Sequence, residues 1–188
     1  MKKLESRRII GIDPGTNILG YAVIEIVNKE FRIIGIDVLK MQHLEDHPAK
    51  LKEIYLNIDK IIKHFSPTEM ALEAPFFGKN VQAMLKLGRA QGVAMAAGLV
   101  SGLSIDEYSP KSVKQSVTGN GNATKEQVAR MLEQTFRRDI FTEYLDATDA
   151  LAVAMCHYYK SSSALGGGGK FKDWKDFAAK AAEKTKKG

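Results

Sequence analysis

The sequence predicts an α/β fold, a mixed sheet flanked by helices, and three observations carry that prediction. Three strand-like runs separated by turns fill the first forty residues, the apolar period then changes from two to about 3.6, and from there short strands alternate with helices. Ile9-Ile10-Gly11-Ile12-Asp13 is an apolar, β-branched run, and Pro14-Gly15 is the tight turn that stops it, so Asp13 falls at a strand's C-terminal edge. Leu19 to Val27 is a second strand, Asn28-Lys29 a turn and Phe31 to Val38 a third strand, which makes the opening antiparallel. After Pro48, the residues Leu51, Ile54, Tyr55, Ile58, Ile61, Ile62 and Phe65 fall on one helical face, and Ser66-Pro67 ends that helix. Met70 to Glu73 is a short strand leading into Ala74-Pro75-Phe76-Phe77.

Asn80 to Val100 reads as a long helix whose Gly88, Gly92 and Ala96 allow another backbone to approach, either the sheet or a second copy of the chain. Leu103 to Tyr108 is a weaker strand closed by Ser109-Pro110, followed by a short helix over Lys111 to Val117 and a Gly119-Asn120-Gly121-Asn122 loop. Thr124 caps a helix that turns Val128, Met131, Leu132 and Phe136 inward. The last helix begins near Asp146 and carries Ala150, Leu151, Val153, Ala154 and His157. The composition then shifts. Residues 1–160 form the folded unit, 161–169 a flexible Ser/Gly linker, and 170–188 a basic tail, helical or disordered, with Phe171, Trp174 and Phe177 at helical spacing.

A chain of 188 residues with 44% hydrophobic content has room for one domain and an appendage. The formal charge of +6 favours a polyanionic partner, although seven lysines against three acids put +4 of it in residues 161–188 and leave the core nearly neutral. A single cysteine, Cys156, excludes an intrachain disulfide and a cysteine zinc site. The charged start lacks a secretory leader, and no apolar run approaches the ~18 residues of a membrane span, so a cytoplasmic protein is expected.

Four acids are set apart by position: Asp13 and Glu73 at strand ends, and Asp146 and Asp149 three residues apart on one face of the last helix. Each has a structural explanation too. Asp13 could cap its turn, and acids in a first helical turn are favoured by the helix dipole. If the four meet, their repulsion is costly, roughly 4 kcal/mol for unit charges ~4 Å apart at an effective dielectric of ~20. A divalent cation resolves it, and all-oxygen ligation points to Mg²⁺ or Mn²⁺ rather than zinc; two such ions could activate water and stabilise a leaving oxygen in phosphodiester hydrolysis. Lys79, Lys86, Arg89, Lys111, Lys114 and Lys125 lie in segments that follow the carboxylate-bearing strands, where phosphate contacts or simply a solvated face would place them.

Gly11-Ile12-Asp13-Pro14-Gly15-Thr16 with Gly20-Tyr21, Ala71-Leu72-Glu73 with Phe76, Leu87-Gly88-Arg89-Ala90-Gln91-Gly92, Val113-Lys114-Gln115 and Asp146-Ala147-Thr148-Asp149-Ala150-Leu151-Ala152 occur in that order. Together they resemble the RuvC family of bacterial Holliday-junction resolvases over about residues 7–158. The resemblance implies a ribonuclease H-like fold and a homodimer that cuts two strands of a four-way DNA junction. It implies Mg²⁺-dependent hydrolysis leaving ligatable 5′-phosphate and 3′-hydroxyl ends, in recombination and repair, and delivery of the junction by a RuvA and RuvB branch-migration motor. Asp13, Glu73, Asp146 and Asp149 match the family's acidic, metal-binding positions, the third of which is histidine in some members. Phe76, or its neighbour Phe77, matches an aromatic that stacks on bases. Lys114 and Lys125 match basic positions near the scissile phosphate, and Lys79 and Arg89 are expected to join them in binding substrate. The family pattern does not extend to residues 161–188, where added DNA affinity and docking to a partner protein are rival expectations. The Gly-Ile-Asp-x-Gly-Thr opening also begins sugar kinases and actin-like ATPases, but those need a second lobe and phosphate loop that ~160 residues cannot supply. A junction-binding module without catalysis is the other alternative.

Overall fold

The computed structural model describes residues 6–75, 80–137, 140 and 145–165. Its sheet has five strands: β1 (Arg7–Asp13), β2 (Ile18–Val27), β3 (Glu30–Lys40), β4 (Glu69–Glu73) and β5 (Ser104–Tyr108). They lie in the order β3-β2-β1-β4-β5, with the first three antiparallel and β4 and β5 parallel to β1. The helices are α1 (His47–Phe65), α2 (Val81–Val100), α3 (Pro110–Thr118), α4 (Lys125–Phe136) and α5 (Leu145–Leu165). This is the mixed α/β sheet that the strand and helix periods predict, and it is ribonuclease H-like.

Local chemistry sets the boundaries. Asn28 and Lys29 both take positive φ in the two-residue β2–β3 hairpin, the backbone that keeps twisted strands in register. Asp46 caps α1 by accepting from the Ala49 amide, Asn80 does the same for α2, and Thr124 with Gln127 forms the reciprocal capping box of α4.

Strand alternation divides the core in two. Ile10, Ile12, Met70 and Leu72 point to the face covered by α1 and α2, whereas Ile9, Ala22, Ile24 and Ala71 point to the face covered by α3, α4 and α5. By the same period of two, Gly11, Asp13 and Glu73 belong to the α5 face. Gly11 and Gly20 let α5 lie directly on the strands: a Cβ would stand 2.1 Å from the Ala150 carbonyl oxygen at Gly11 and 2.0 Å from that of Asp146 at Gly20.

The far half of α5 is tied to the opposite edge of the sheet. Arg7 forks onto both carboxylate oxygens of Glu69, and the buried His157 ring lies between Glu69 Oε2 at 2.7 Å and the Tyr108 hydroxyl at 2.8 Å. A carboxylate only accepts, so His157 Nε2 donates to Glu69.

Three expectations are corrected. Tyr55 is 38% exposed and off the buried face of α1, which Ile54, Ile58, Ile61 and Ile62 fill. Gly88 and Gly92 do not pack on the sheet, since a Cβ at either would meet nothing within 4 Å; Gly98 makes that approach instead, against Met70 and Ile105. Finally, α5 continues to Leu165, five residues into the segment read as linker, because the Ser161 hydroxyl donates back to the His157 carbonyl and accepts from Arg7. Residues 166–188 lie outside the described residues. Among the described residues, no helix is long and apolar enough to cross a membrane.

Candidate active site

Asp13 and Glu73 end adjacent parallel strands. Ile12 pairs with Leu72, so the two acids stand side by side one step beyond, on the same face, about 4.8 Å apart in the pairing direction. The C-terminal edge of an open α/β sheet is where such folds bind ligands. Across from them, the first turns of α5 bring in Asp146 and Asp149, held close by Gly11 and Gly20.

One cleft holds Asp13, Glu73, Asp149, Lys114 and Lys125, with Val113 and Val128 forming apolar wall. Lys125, at the start of α4, pairs with the Asp149 carboxylate. The Gln91 side chain, buried in α2, donates to the Glu73 main-chain oxygen at 3.5 Å and to the Glu107 carboxylate, which anchors the end of β4 from behind.

The electrostatics follow from this crowding. Burial, reinforced by the negative charges of Glu73, Asp149 and Asp146, pushes the Asp13 carboxyl up to about 8. Burial and then Asp149 also raise Glu73, although Lys125 and Lys114 work the other way. For Lys125, burial disfavours the charge, but the Asp149 hydrogen bond and the fields of Asp13 and Asp146 outweigh it and raise its pKa.

Four carboxylates share the region with two lysines, so the site holds uncompensated negative charge and offers only oxygen donors. That donor set fits a hard divalent cation. Among the described residues, no three acidic or imidazole side chains already close around one ion-sized point. Lys125 supplies part of the countercharge in the cleft.

Of the sequence-derived site residues, the structure brings Asp13, Glu73, Asp149, Lys114 and Lys125 into the cleft, with Asp146 beside it. It does not bring Arg89 there, because α2 covers the other face of the sheet and Arg89 lies near His47. Phe76, Phe77 and Lys79 lie outside the described residues. Sequence reasoning gave no role to Gln91, whose signal was a polar residue among the small residues of α2. Cys156 is fully buried, with its sulfur 3.2 Å from the Ser116 hydroxyl oxygen.

The family described as crossover junction endodeoxyribonuclease RuvC matches residues 9–157 of the chain. The crossover junction endodeoxyribonuclease RuvC of Porphyromonas gingivalis is 47% identical over 186 residues, spanning 97% of this chain and 98% of the relative. The structure of Thermus thermophilus RuvC superposes with a TM-score of 0.76 at 28% identity, covering 84% of this chain and 96% of the other. The same protein in complex with a Holliday junction substrate gives 0.75 at 26% identity, with the same coverage. The Porphyromonas match thus extends into the tail, which corrects the expectation that family likeness ends near residue 160.

Proposed function

The chain belongs to the RuvC family of crossover junction endodeoxyribonucleases, phosphodiester hydrolases that resolve Holliday junctions, and from that premise we propose which of its residues do the chemistry. Asp13, Glu73, Asp146 and Asp149 are the catalytic acids. The observation that carries this reading is their convergence: two strand ends and one helix start lie on one face of the sheet, where burial, reinforced by the charges of Glu73, Asp149 and Asp146, pushes the Asp13 carboxyl up to about 8.

These four acids would hold Mg²⁺, two ions to a site, with Mn²⁺ able to substitute; the metal supplies activation of the attacking water and charge compensation for the leaving 3′-oxygen. The protein's own share is positional and electrostatic. Lys114 and Lys125, on helices that border the cleft, offer ammonium donors to the non-bridging oxygens of the scissile phosphate. Asp149, tied to Lys125, keeps that lysine charged and aimed inward. Attack at phosphorus with departure of the 3′-oxygen leaves a 5′-phosphate and a 3′-hydroxyl.

A homodimer would place one such cleft on each of two junction strands. Its seam would be the outer face of α2, where Val81, Leu85 and Leu99 are 63%, 50% and 60% exposed and Gly88 and Gly92 leave open space for a second helix. By family likeness, Phe76 or its neighbour Phe77 stacks on a base near the crossover and a RuvA and RuvB motor delivers the junction; Lys79 and Arg89, read from their positions after the acid-bearing strand, join in binding DNA, and the protein works in the cytoplasm.

The test is cleavage of a labelled synthetic four-way junction against matched duplex, with Mg²⁺ or EDTA, for wild type and Asp149→Asn. Paired, ligatable nicks that need metal and vanish in the variant are expected. Uncut but tightly bound junction in both Mg²⁺ and Mn²⁺ would favour a binding module, and full activity of the variant would remove Asp149 from the site.

A further inference from the structure

We propose that Gln91, its amide oriented by Glu107, is a positioning residue for Glu73: it supplies the main-chain hydrogen bond that Pro14 cannot give, and so fixes the acid for the metal. This rests on the proposed function, because the position of Glu73 matters to catalysis only if Glu73 is one of the metal-holding acids.

The register of the sheet leaves the Glu73 carbonyl without a strand donor. In a parallel ladder a central residue turns its N–H and C=O to one neighbouring strand, and the next residue turns them to the other. Ala74 donates its amide to the Tyr108 carbonyl at 2.8 Å, on the β5 side. Glu73, one residue earlier, therefore faces β1. There the pairing of Ile12 with Leu72 brings the residue after Asp13 into line with the Glu73 oxygen, and that residue is Pro14, which has no N–H. The turn that ends β1 beside one acid thus removes the ladder bond beside the other.

Gln91 fills the place. Its Nε2 donates to the Glu73 main-chain oxygen at 3.5 Å and to Glu107 Oε1, and an amide nitrogen has two hydrogens to serve both. A carboxylate only accepts, so Glu107 decides which end of the amide faces the strand. Burial supports the assignment. Gln91 is 4% exposed, and the other buried residues of α2 are Ala90, Ala94, Ala97 and Gly98. An apolar side chain would pack on the sheet there without the desolvation cost of an amide, so the glutamine is explained by what it bonds.

The consequence falls on the metal. Asp13 and Glu73 stand at adjacent strand ends, and a cation between them is held well only while both main chains keep their places. Groups that orient a ligand from behind typically govern metal affinity by ~10- to 100-fold. Gln91 does not line the cleft, so its loss should weaken metal binding and leave DNA binding alone.

The experiment compares the full chain with three variants. Gln91→Met keeps the length and removes the donor; Glu107→Ala, at an exposed position, frees the amide to turn; Ala94→Gly loosens the same buried face one turn along. Two measurements involve no catalysis: the Mn²⁺ concentration that gives half of the metal-induced rise in melting temperature without DNA, and affinity for a labelled four-way junction in EDTA. The third is single-turnover cleavage against Mg²⁺ concentration. Gln91→Met should need about ten-fold more of either metal, and Glu107→Ala about two- to five-fold more, with junction affinity in EDTA within about two-fold of wild type. Ala94→Gly should melt lower yet keep the wild-type metal requirement. An unchanged metal requirement in Gln91→Met, or an equal shift in Ala94→Gly, would overturn the assignment; should Gln91→Met not fold, Glu107→Ala decides in the same way. No metal-dependent melting or cleavage in wild type would instead overturn the reading beneath it.

Discussion

At the scale of single residues, Asp13 carries a cost that the metal-free protein cannot avoid. Its carboxyl lies near 8 in the fold against an ordinary 3.8. A group whose pKa is raised on folding favours the folded state most below its unfolded value, and that advantage is lost as pH climbs from about 4 through 8. Metal-free wild type should therefore lose stability over that window, and Asp13→Asn should remove the loss. The variant is expected to melt higher than wild type at pH 8, by on the order of 2 kcal/mol or ~4–8 °C, with little difference at pH 4. Magnesium should raise the wild-type melting temperature at pH 8 and leave the variant nearly unmoved, while junction cleavage by the variant falls at least a thousand-fold. A variant that melts no higher than wild type would mean the carboxylates do not repel as described. Glu69 runs the opposite way. Burial alone would raise its carboxyl, but hydrogen bonds from Arg7 and His157 outweigh that and lower it. Its stabilisation is present above about pH 4.5 and fades as pH falls below. Glu69→Gln should thus cost roughly 1–3 kcal/mol at pH 7 and flatten the acid limb of the stability curve, read by urea unfolding between pH 3 and 7.

At the scale of elements, the geometry of the proposed catalytic acids depends on how closely α5 approaches the strands. A methyl group at Gly20 would sit 2.0 Å from the Asp146 carbonyl oxygen, main chain against main chain, so the first turn of α5 must move outward. Gly20→Ala should lower single-turnover cleavage at least ten-fold and destabilise the fold by roughly 1–3 kcal/mol, with junction affinity changed less than the rate. A variant with wild-type turnover would show that the acids tolerate the displacement. Much of this arrangement was legible beforehand. Strand alternation fixes which face Asp13 and Glu73 occupy, and the three-residue spacing of Asp146 and Asp149 puts both on one side of α5. What could not be read were contacts between elements. Gly88 and Gly92 look like packing glycines in a helix, yet the glycine that meets the sheet is Gly98, and only the third dimension chooses among them. Tyr55 satisfies the helical period but lies at the rim of the buried stripe, and the serines after Lys160 look like linker until Arg7 is seen to bind Ser161. Arg89 sits in a motif that follows the acid-bearing strand β4, but its helix covers the other face.

At the scale of the whole molecule, resolving a junction requires two cuts, and the described residues of one chain form one carboxylate cleft. The proposed homodimer seam, the outer face of α2, would supply the second. Leu85 and Val81 are too large and too exposed to leave facing water without reason, and the glycines one and two turns along let a partner helix come close. Leu85→Glu sets two like charges near the centre of a symmetric seam and should convert dimer to monomer, read by sedimentation equilibrium at micromolar protein. Because Leu85 touches nothing in the carboxylate cleft, its side chain being half exposed on the opposite layer, the monomer should keep its fold and melting temperature within about 2 °C. The consequence for catalysis is specific. On a junction cruciform extruded from a supercoiled circle, wild type should give linear product, both strands cut within one encounter, whereas the variant should accumulate nicked circle, with a second cut only after rebinding. If Leu85→Glu remains dimeric and still linearises the circle, α2 is not the seam and the two clefts must be paired through another face.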